Sequence, residues 1–222
     1  MSLARLADQV SKASQNMMSL DSLSNIYWGL SHLLELGLPG DVVELGCHAG
    51  YTSVYLQMII DHMDPGRTLH VYDSFEGLPK PGPRDGTYFS AGELRVSQQD
   101  LAATFDAWGL RHPVIHAGWF EDTLPGGLPD KIAFGLLDAD FYESILVGLR
   151  HVWPRVIPGG IVMIDDYCDP RENPWAWPEM PGVKVACDEF FASTRERPVT
   201  LMGCGSMACA YVRKSIGPAR SA

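Results

Sequence analysis

Glycines with an unusual spacing follow an acidic residue in the part of this sequence that could bind a nucleotide-like ligand. The apolar segment 42–45 contains Glu44, and the next glycines, Gly46 and Gly50, are separated by three residues. A pyrophosphate site needs Gly-x-Gly-x-x-Gly, because the backbone must approach two phosphates, and a carboxylate there would repel them. The observed spacing suits a cationic ligand that carries an amino acid, and S-adenosylmethionine is the candidate. An ordinary strand-to-helix turn, with glycines for packing, is the alternative.

Further residues around this turn complete a predicted cofactor site. A helix N-terminus follows Gly50, as in the nucleotide crevices of open α/β sheets. Asp73 ends the second predicted strand, where it can accept hydrogen bonds from ribose hydroxyls, and a solvated strand-end acid is the alternative. Trp119 or Phe120 could stack on an adenine at the end of the third strand, with core packing as the alternative. The predicted cofactor-binding residues are Glu44, Gly46, Gly50, Tyr51, Thr52, Asp73, Ser74, Gly118, Trp119 and Phe120.

A second group of carboxylates follows two nearly continuous apolar runs. Segment 132–137 ends in Asp138, and segment 161–164 ends in Asp165 and Asp166. If these runs are neighbouring parallel strands, the carboxylates meet at one sheet edge and repel one another unless they are protonated or share a cation. Hard oxygen ligands with no His or Cys alongside suit Mg²⁺. Capping of the following helices is the alternative, but a proline-rich loop, not a helix, follows the second pair.

The elements that must position these residues alternate between strand and helix patterns, which predicts an α/β fold. We expect a Rossmann-like, seven-stranded, mostly parallel sheet with a C-terminal antiparallel hairpin and helices on both faces. Strands are predicted at 42–45, 69–72, 113–117, 132–137, 161–164, 199–203 and 207–212, with a turn at 158–160 before the fifth and a turn at 205–206 in the hairpin. Helices are predicted at 3–10, 22–36, 51–63, 93–108, 142–152 and 183–194.

Composition and charge exclude several classes of function. The 222 residues carry a formal net charge of -10, which argues against nucleic acid or an anionic membrane as partner. No apolar run approaches the roughly 20 residues that span a bilayer, and residues 1–15 have no signal-peptide core. The five cysteines form no Cys-x-x-Cys pair, which favours reduced thiols and a cytoplasmic location.

Four ordered motifs resemble those of the macrocin O-methyltransferase family, which modifies deoxysugars of macrolides and other natural products. The resemblance runs from about residue 38 to residue 191. The motifs are GDVVELG at 40–46, DSFEGLP at 73–79, DADFYES at 138–144 and GGIVMIDDY at 159–167.

This resemblance implies a methyltransferase that uses S-adenosylmethionine and Mg²⁺ to methylate a sugar hydroxyl of a small-molecule glycoside. It implies that Asp138, Asp165 and Asp166 hold the metal and that Asp138 is the general base. Residues 1–37 would form an N-terminal helical cover, 38–214 the S-adenosylmethionine-dependent domain, and 215–222 a loose tail. The apolar N-terminal helices favour a homodimer.

Two positions depart from the family pattern, and other functions stay open. Leu136 and Leu137 stand where the family usually has a His ahead of the first metal acid, and Ile145 replaces a Thr. Catechol-type O-methyltransferases share the metal-acid layout but place a catalytic Lys where this chain has Phe141, which favours the sugar-type function. A nicotinamide-dependent oxidoreductase and a non-catalytic module with the same fold are further alternatives. The absent third glycine and the Glu44 carboxylate argue against the oxidoreductase.

Two long irregular segments, 75–92 and 167–182, are predicted to form a lid. Loops of this length in a compact domain tend to be functional, and a lid excludes water from the reaction. Their aromatic residues could grip an apolar aglycone, with packing on the domain as the alternative. These residues are Tyr88, Phe89, Trp175 and Trp177.

Overall fold

A sheet of seven strands runs through the computed structural model, which describes residues 3–14, 17–172, 174, 177–201 and 208–217. The strands are β1 (Asp41–Leu45), β2 (Leu69–Asp73), β3 (Val114–Ala117), β4 (Ile132–Leu137), β5 (Val156–Asp165), β6 (Val199–Leu201) and β7 (Cys209–Arg213). The helices are α1 (Leu3–Ala13), α2 (Leu20–Glu35), α3 (Tyr51–Met63), α4 (Gln98–Trp108), α5 (Phe120–Gly127), α6 (Tyr142–Arg155) and α7 (Pro181–Phe191).

The strand order is β3-β2-β1-β4-β5-β7-β6, which confirms the predicted fold class. Strands β1 to β5 pair in parallel, and β7 pairs antiparallel with both β5 and β6. All six residues of β4 are buried, as expected for a strand covered by helices on both faces. Because the chain moves from β1 outward to β3 and then returns to β4 on the other side of β1, a crevice opens at the carboxyl ends of β1 and β4.

Two apolar layers hold the helices on the sheet. On one face, Val10 of α1, Leu30 of α2 and Leu56 of α3 share a buried cluster, so the predicted N-terminal cover packs directly on the domain. On the other face, Leu149 of α6 and Phe191 of α7 belong to a second cluster. No helix among the described residues is long and apolar enough to cross a bilayer.

The predicted turn at 158–160 is wrong, because these residues lie inside β5. Helix α6 runs directly into the strand, and the β4–β5 register shifts between the pairs Ile132↔Val156 and Phe134↔Ile161. This bulge places the extra residues of β5, including Pro158, outside the regular ladder, so the missing proline N–H breaks no hydrogen bond there. On the other side, Gly159 and Gly160 exchange backbone hydrogen bonds with Lys214.

Other element bounds also differ from the predictions. Helix α4 begins at Gln98, not at residue 93, because the side chain of Ser97 forms a capping box with Asp100. Helix α5 was not predicted, since its short sequence ends in proline and glycines. The hairpin residues 202–207 and the tail residues 218–222 lie outside the described residues.

Candidate active site

A cavity of about 460 Å³ opens at the carboxyl ends of β1, β2, β4 and β5. This volume lies in the usual range for sites that bind small molecules. The sequence-predicted residues that line it are Gly46, Asp73, Ser74, Trp119, Phe120, Asp138, Asp165 and Asp166. The sheet therefore gathers half of the ten predicted cofactor residues and all three predicted metal ligands around one space.

Gly46 allows the turn after β1 to approach the turn after β4. Its φ angle is +82°, and a Cβ atom there would overlap the carbonyl oxygen of Asp138. The Asp138 N–H donates to the Leu45 carbonyl at 2.9 Å, and the Gly46 N–H donates to the Tyr72 carbonyl at 2.8 Å. A side chain at position 46 would separate the glycine turn from the acidic strand end, so only glycine is compatible with this arrangement.

The Asp73 carboxylate organises the glycine turn and also lines the cavity. One of its oxygens accepts the N–H groups of Cys47 and His48 at 3.0 and 2.9 Å, and the other accepts the N–H of Phe75 at 2.9 Å. A carboxylate has about four acceptor positions, so these three bonds leave capacity for a ligand hydroxyl. Asp73 is therefore held in place before any ligand binds.

A smaller cavity of about 50 Å³ adjoins the first, and it contains the predicted residues Tyr51 and Thr52. Gly46 and Asp138 line both cavities. Met17 and Met18, between α1 and α2, also line both. Two adjacent methionines carry no motif, so the sequence predicted only a helical cover for the N-terminal segment.

Glu44 lies beneath the glycine turn and does not line either cavity. It is fully buried, and the Ser53 hydroxyl donates to one of its oxygens, while the other has no partner among the described residues. Burial raises the pKa of Glu44 to about 8. Gly50 and Gly118 also lie behind the cavity walls, where the Gly118 N–H donates to the Asp73 carbonyl at 2.9 Å. Direct contact of these three residues with a cofactor stays a prediction.

The raised pKa of Glu44 predicts a specific dependence of stability on pH. The folded protein holds this proton more tightly than the unfolded chain, in which the ordinary value is 4.5, so the free energy of unfolding falls as the pH rises from about 4.5 to 8. Glu44→Gln stays neutral and should escape this loss. We expect the difference in free energy of unfolding between the variant and the wild type to shift by about 2–4 kcal/mol in favour of the variant from pH 5 to pH 9. Thermal or urea unfolding measures this difference. If the free energy of unfolding changed with pH in the same way in both proteins, Glu44 would not titrate as described.

Asp138, Asp165 and Asp166 form a compact group of carboxylates. Each offers an oxygen, and these oxygens lie within 4.8 Å of one another. The β4–β5 register pairs Leu137 with Ile164, so the residues that follow on the two strands are brought side by side. Asp165 is buried and the other two are half-buried. Asp166 adopts a left-handed conformation with φ +55°, which is a costly backbone state that often marks a functional position.

The surroundings of this group disfavour three negative charges. Burial, followed by the charges of neighbouring carboxylates, raises the pKa of Asp138 and of Asp165 well above the ordinary range. Burial raises the pKa of Asp166 to about 6. None of the ion pairs among the described residues involves these three acids. A divalent cation would relieve this repulsion, and an all-oxygen donor set fits Mg²⁺.

The capping alternative does not account for these acids. The N-cap residue of α6 is Phe141, and no side chain of that segment caps the helix. Helix α7 begins at Pro181, well after Asp165 and Asp166. The carboxylates therefore face the cavity without a helix-capping role.

Comparison with known proteins identifies the family. A family model described as macrocin-O-methyltransferase (TylF) matches residues 4–180, which is most of the chain. The chain belongs to the macrocin O-methyltransferase family.

Two curated O-methyltransferases are similar in sequence to this family member. It is 35% identical over 164 residues (69% of this chain, 63% of the relative) to the 8-demethyl-8-(2,3-dimethoxy-alpha-L-rhamnosyl)-tetracenomycin-C 4'-O-methyltransferase of Streptomyces olivaceus. It is 32% identical over 169 residues (71% of this chain, 66% of the relative) to the mycinamicin III 3''-O-methyltransferase of Micromonospora griseorubida. The aligned part thus spans just under two thirds of the length of these relatives.

Solved structures agree with this assignment. The O-methyltransferase NovP superposes with a TM-score of 0.75 at 27% identity, over 90% of this chain and 82% of NovP. The calicheamicin methyltransferase CalS11 superposes with a TM-score of 0.68 over 94% of this chain and 91% of CalS11, and at 21% identity this likeness concerns the fold alone.

Several residues of this macrocin O-methyltransferase family member line the cavity without having been predicted. Asp140 has a left-handed φ of +57°, and burial followed by the charge of Asp166 raises its pKa to about 7. Burial lowers the pKa of His48, which lines both cavities. The spacing Asp138-Ala139-Asp140 was the available signal for Asp140, whereas no pattern in the sequence indicated His48.

Phe141 occupies the position at which catechol-type O-methyltransferases are expected to carry a lysine. Phe141 is 2% exposed and begins the helix next to the acids. Among the described residues that line the cavity, Lys80 is the only Lys or Arg, and it comes from the loop before α4. At this end of the site the three acids are therefore accompanied by a further carboxylate, Asp140, and by no amine at position 141.

Aromatic residues from both predicted lid segments meet at the cavity. Tyr88 lies edge-on to Phe89 and to Trp177, with ring centroids 4.8 and 4.6 Å apart, and all three line the cavity. Trp175 lies outside the described residues. The two irregular segments thus contact each other through aromatic rings at one wall of the site.

Proposed function

We propose that this protein is a Mg²⁺-dependent O-methyltransferase that transfers a methyl group from S-adenosylmethionine to a sugar hydroxyl of a natural-product glycoside. The observation that carries the proposal is the group formed by Asp138, Asp165 and Asp166, whose oxygens lie within 4.8 Å of one another beside the Gly46 turn. This arrangement pairs a metal-binding set of carboxylates with a cofactor-sized cavity in one space.

The cofactor would lie along the carboxyl ends of β1, β2 and β3. The Asp73 carboxylate has acceptor capacity for ribose hydroxyls, and Trp119 and Phe120 offer aromatic faces for an adenine. Gly46 lets the turn after β1 pack against the Asp138 backbone, so both turns can border the ligand. When bound, S-adenosylmethionine supplies an electrophilic methyl group.

Asp138, Asp165 and Asp166 would hold the Mg²⁺ ion. A bound Mg²⁺ ion would act as a Lewis acid and lower the pKa of an acceptor hydroxyl. Asp138 then accepts the proton of that hydroxyl, because it lines both cavities and lies nearest the glycine turn through its own backbone contact. The cavity walls orient the acceptor oxygen toward the methyl group and exclude water from the reaction.

The charge of the cavity supports a neutral or cationic acceptor. Among the described residues that line it, Lys80 is the only Lys or Arg, whereas eight carry a carboxyl group. These eight are Asp73, Asp85, Glu121, Asp138, Asp140, Glu143, Asp165 and Asp166. An anionic acceptor, such as a sugar that still carries a nucleoside diphosphate, would be repelled. The aromatic wall of Tyr88, Phe89 and Trp177 suits the apolar aglycone of a finished glycoside.

Two further properties belong to the same proposal. A homodimer would cover the exposed apolar side chains of α2, Leu20 and Trp28, which are 50% and 45% exposed. The four described cysteines are free thiols, in keeping with a reducing cytoplasm.

Ligand binding and turnover together test the proposal. We expect thermal stabilisation by S-adenosylhomocysteine and by Mg²⁺ but not by NADH, and methyl transfer to a glycosylated aglycone that EDTA stops and Mg²⁺ restores. Methyl transfer to a simple catechol, with none to glycosides, would favour the catechol-type function instead. Absence of binding by S-adenosylhomocysteine would overturn the methyltransferase proposal.

A further inference from the structure

The loop formed by residues 78–92 is closed at its base and carries one wall of the cavity. The Leu78 N–H donates to the Glu93 carbonyl, and the Gly92 N–H donates to the Leu78 carbonyl, both at 2.8 Å. These bonds tie the two ends of the loop together, as in a compact Ω-loop. Its cavity-lining residues include Lys80, Asp85, Tyr88 and Phe89.

Asp85, in the middle of this loop, caps a helix that belongs to another part of the fold. Tyr142 is the first residue of α6, and its N–H donates to Asp85 Oδ1 at 2.7 Å. Asp85 Oδ2 accepts the N–H of Gly82 at 2.8 Å, which fixes the side chain within its own loop. The N-cap residue of α6, Phe141, supplies no side-chain cap, so a carboxylate 57 positions earlier in the sequence does so.

Two glycines show how closely three segments meet at this hydrogen bond. A Cβ atom on Gly182, at the start of α7, would overlap Asp85 Oδ1 and would lie 2.9 Å from the Tyr142 nitrogen. A Cβ atom on Gly86 would overlap the carbonyl oxygen of Glu179. The backbones of the loop, of the start of α6 and of the start of α7 thus lie so close together that a side chain at either glycine would clash.

Arg84 adds a second contact between the loop and the same helices. Its guanidinium lies 4.2 Å from the centroid of the Tyr142 ring and 3.3 Å from Glu189 of α7. The Tyr142 hydroxyl donates to the same Glu189 carboxylate at 2.8 Å. Arg84 and Glu189 are about half exposed, so we expect their ion pair to contribute less than the Asp85 cap.

We propose that Asp85 is a positioning residue that couples the closed loop to the turn carrying Asp138. Tyr142 follows Asp138 by four residues, and the turn between them includes the left-handed Asp140. A carboxylate at the positive end of α6 holds the helix start and therefore the end of that turn. The loop then closes over the cavity at the same time as Asp138 takes its correct position, because the Asp85–Tyr142 hydrogen bond links the two. The catalytic consequence rests on the proposed function, whereas the structural coupling does not.

Hydrogen–deuterium exchange on the full chain tests the coupling without any substrate. In Asp85→Ala, we expect exchange in residues 78–92 and in residues 139–146 to rise together by about 10- to 100-fold, since a hydrogen bond to a charged group is lost. Asp85→Asn keeps an oxygen acceptor for Tyr142 and should give an intermediate rise. Gly182→Ala should reproduce the effect of Asp85→Ala, because its Cβ displaces the same bond.

Two controls keep this test specific. Gly126→Ala adds a methyl group where no atom lies within 4 Å, and Arg95→Ala removes only the exposed ion pair with Glu76 near the base of the loop. Neither should alter exchange in residues 139–146. A rise confined to residues 78–92 in Asp85→Ala, or an equal rise in the controls, would overturn the coupling. If Asp85→Ala does not fold, Asp85→Asn and Gly182→Ala decide the question by the same measurement.

Steady-state kinetics separates positioning from general instability. We expect Asp85→Ala to lower kcat by about tenfold or more and to raise the KM of the acceptor, while the Kd of S-adenosylhomocysteine stays within about twofold. Partial recovery in Asp85→Asn is expected, as in the exchange experiment. If the wild type methylates no glycoside, the proposed function fails, and the exchange experiment still decides whether Asp85 couples the loop to α6.

Discussion

Replacing Asp165 with Asn is expected to remove Mg²⁺ binding and to lower methyl transfer by about a thousandfold. A metal Lewis acid supplies several kcal/mol of transition-state stabilisation, and about 1.36 kcal/mol corresponds to a factor of ten in rate. Asp165 is 8% exposed and is the buried member of the carboxylate group, so water is poorly placed to replace its charged oxygen as a ligand. Isothermal titration with Mg²⁺ and a methyl-transfer assay measure the two effects.

The same substitution should have the opposite effect on the stability of the metal-free protein. Burial, followed by the charges of its neighbours, raises the pKa of Asp165, so the folded state disfavours the ionised side chain. A neutral Asn relieves this repulsion, and in EDTA at pH 8 we expect the free energy of unfolding to rise by about 1–3 kcal/mol. Mg²⁺ should then stabilise the wild type but not the variant.

Asp130→Asn is the matched control, because Asp130 is exposed and precedes the amino end of β4, whereas the three acids follow the carboxyl ends of β4 and β5. This variant should bind Mg²⁺ and turn over like the wild type. Full Mg²⁺-dependent activity in Asp165→Asn would show that the carboxylate group is not the metal site. A loss of stability in EDTA would show that the three acids do not repel one another in the folded protein.

The sheet and its acidic edge could be predicted because they follow from local patterns. Residues 132–137 and 161–164 are continuous apolar runs, and such runs fit strands that are buried on both faces. Parallel strands end at the same edge, so the acids that follow the runs must meet there. The observed β4–β5 pairing and the 4.8 Å limit on the oxygen distances agree with that reasoning.

The features that were missed depend on contacts between distant segments. The bulge in β5 includes Gly159 and Gly160, which pair with the distant Lys214, a contact that no local pattern encodes. Asp85 caps α6 across 57 positions, whereas a sequence search for caps looks only at neighbouring residues. Met17 lines the cavity, and it follows α1, which shares a buried cluster with α3. Tertiary packing decides such positions after the local elements have formed.

Asp138→Asn is expected to separate the role of a general base from the role of a metal ligand. The amide keeps an oxygen that can bind Mg²⁺ but cannot accept the proton of the acceptor hydroxyl. We therefore expect kcat to fall by about 10²- to 10⁴-fold, the usual contribution of general base catalysis. The Kd of Mg²⁺ should rise much less than in Asp165→Asn, by about tenfold. Asp138 is half-buried, so water can complete the coordination of the ion there, whereas Asp165 is buried. Single-turnover methyl transfer at saturating Mg²⁺ measures the first effect, and titration calorimetry the second.

The acidity of the acceptor provides the decisive comparison. An acceptor with a more acidic hydroxyl needs less help from a base, so the loss in Asp138→Asn should shrink as the hydroxyl pKa falls. Asp165→Asn should instead lose activity with every acceptor, because it lacks the metal. The Asp138→Asn protein should still bind S-adenosylhomocysteine as the wild type does, since Asp73 and the glycine turn are unchanged. An equal loss across acceptors, with Mg²⁺ binding abolished, would mean that Asp138 acts as a metal ligand and that another group takes the proton.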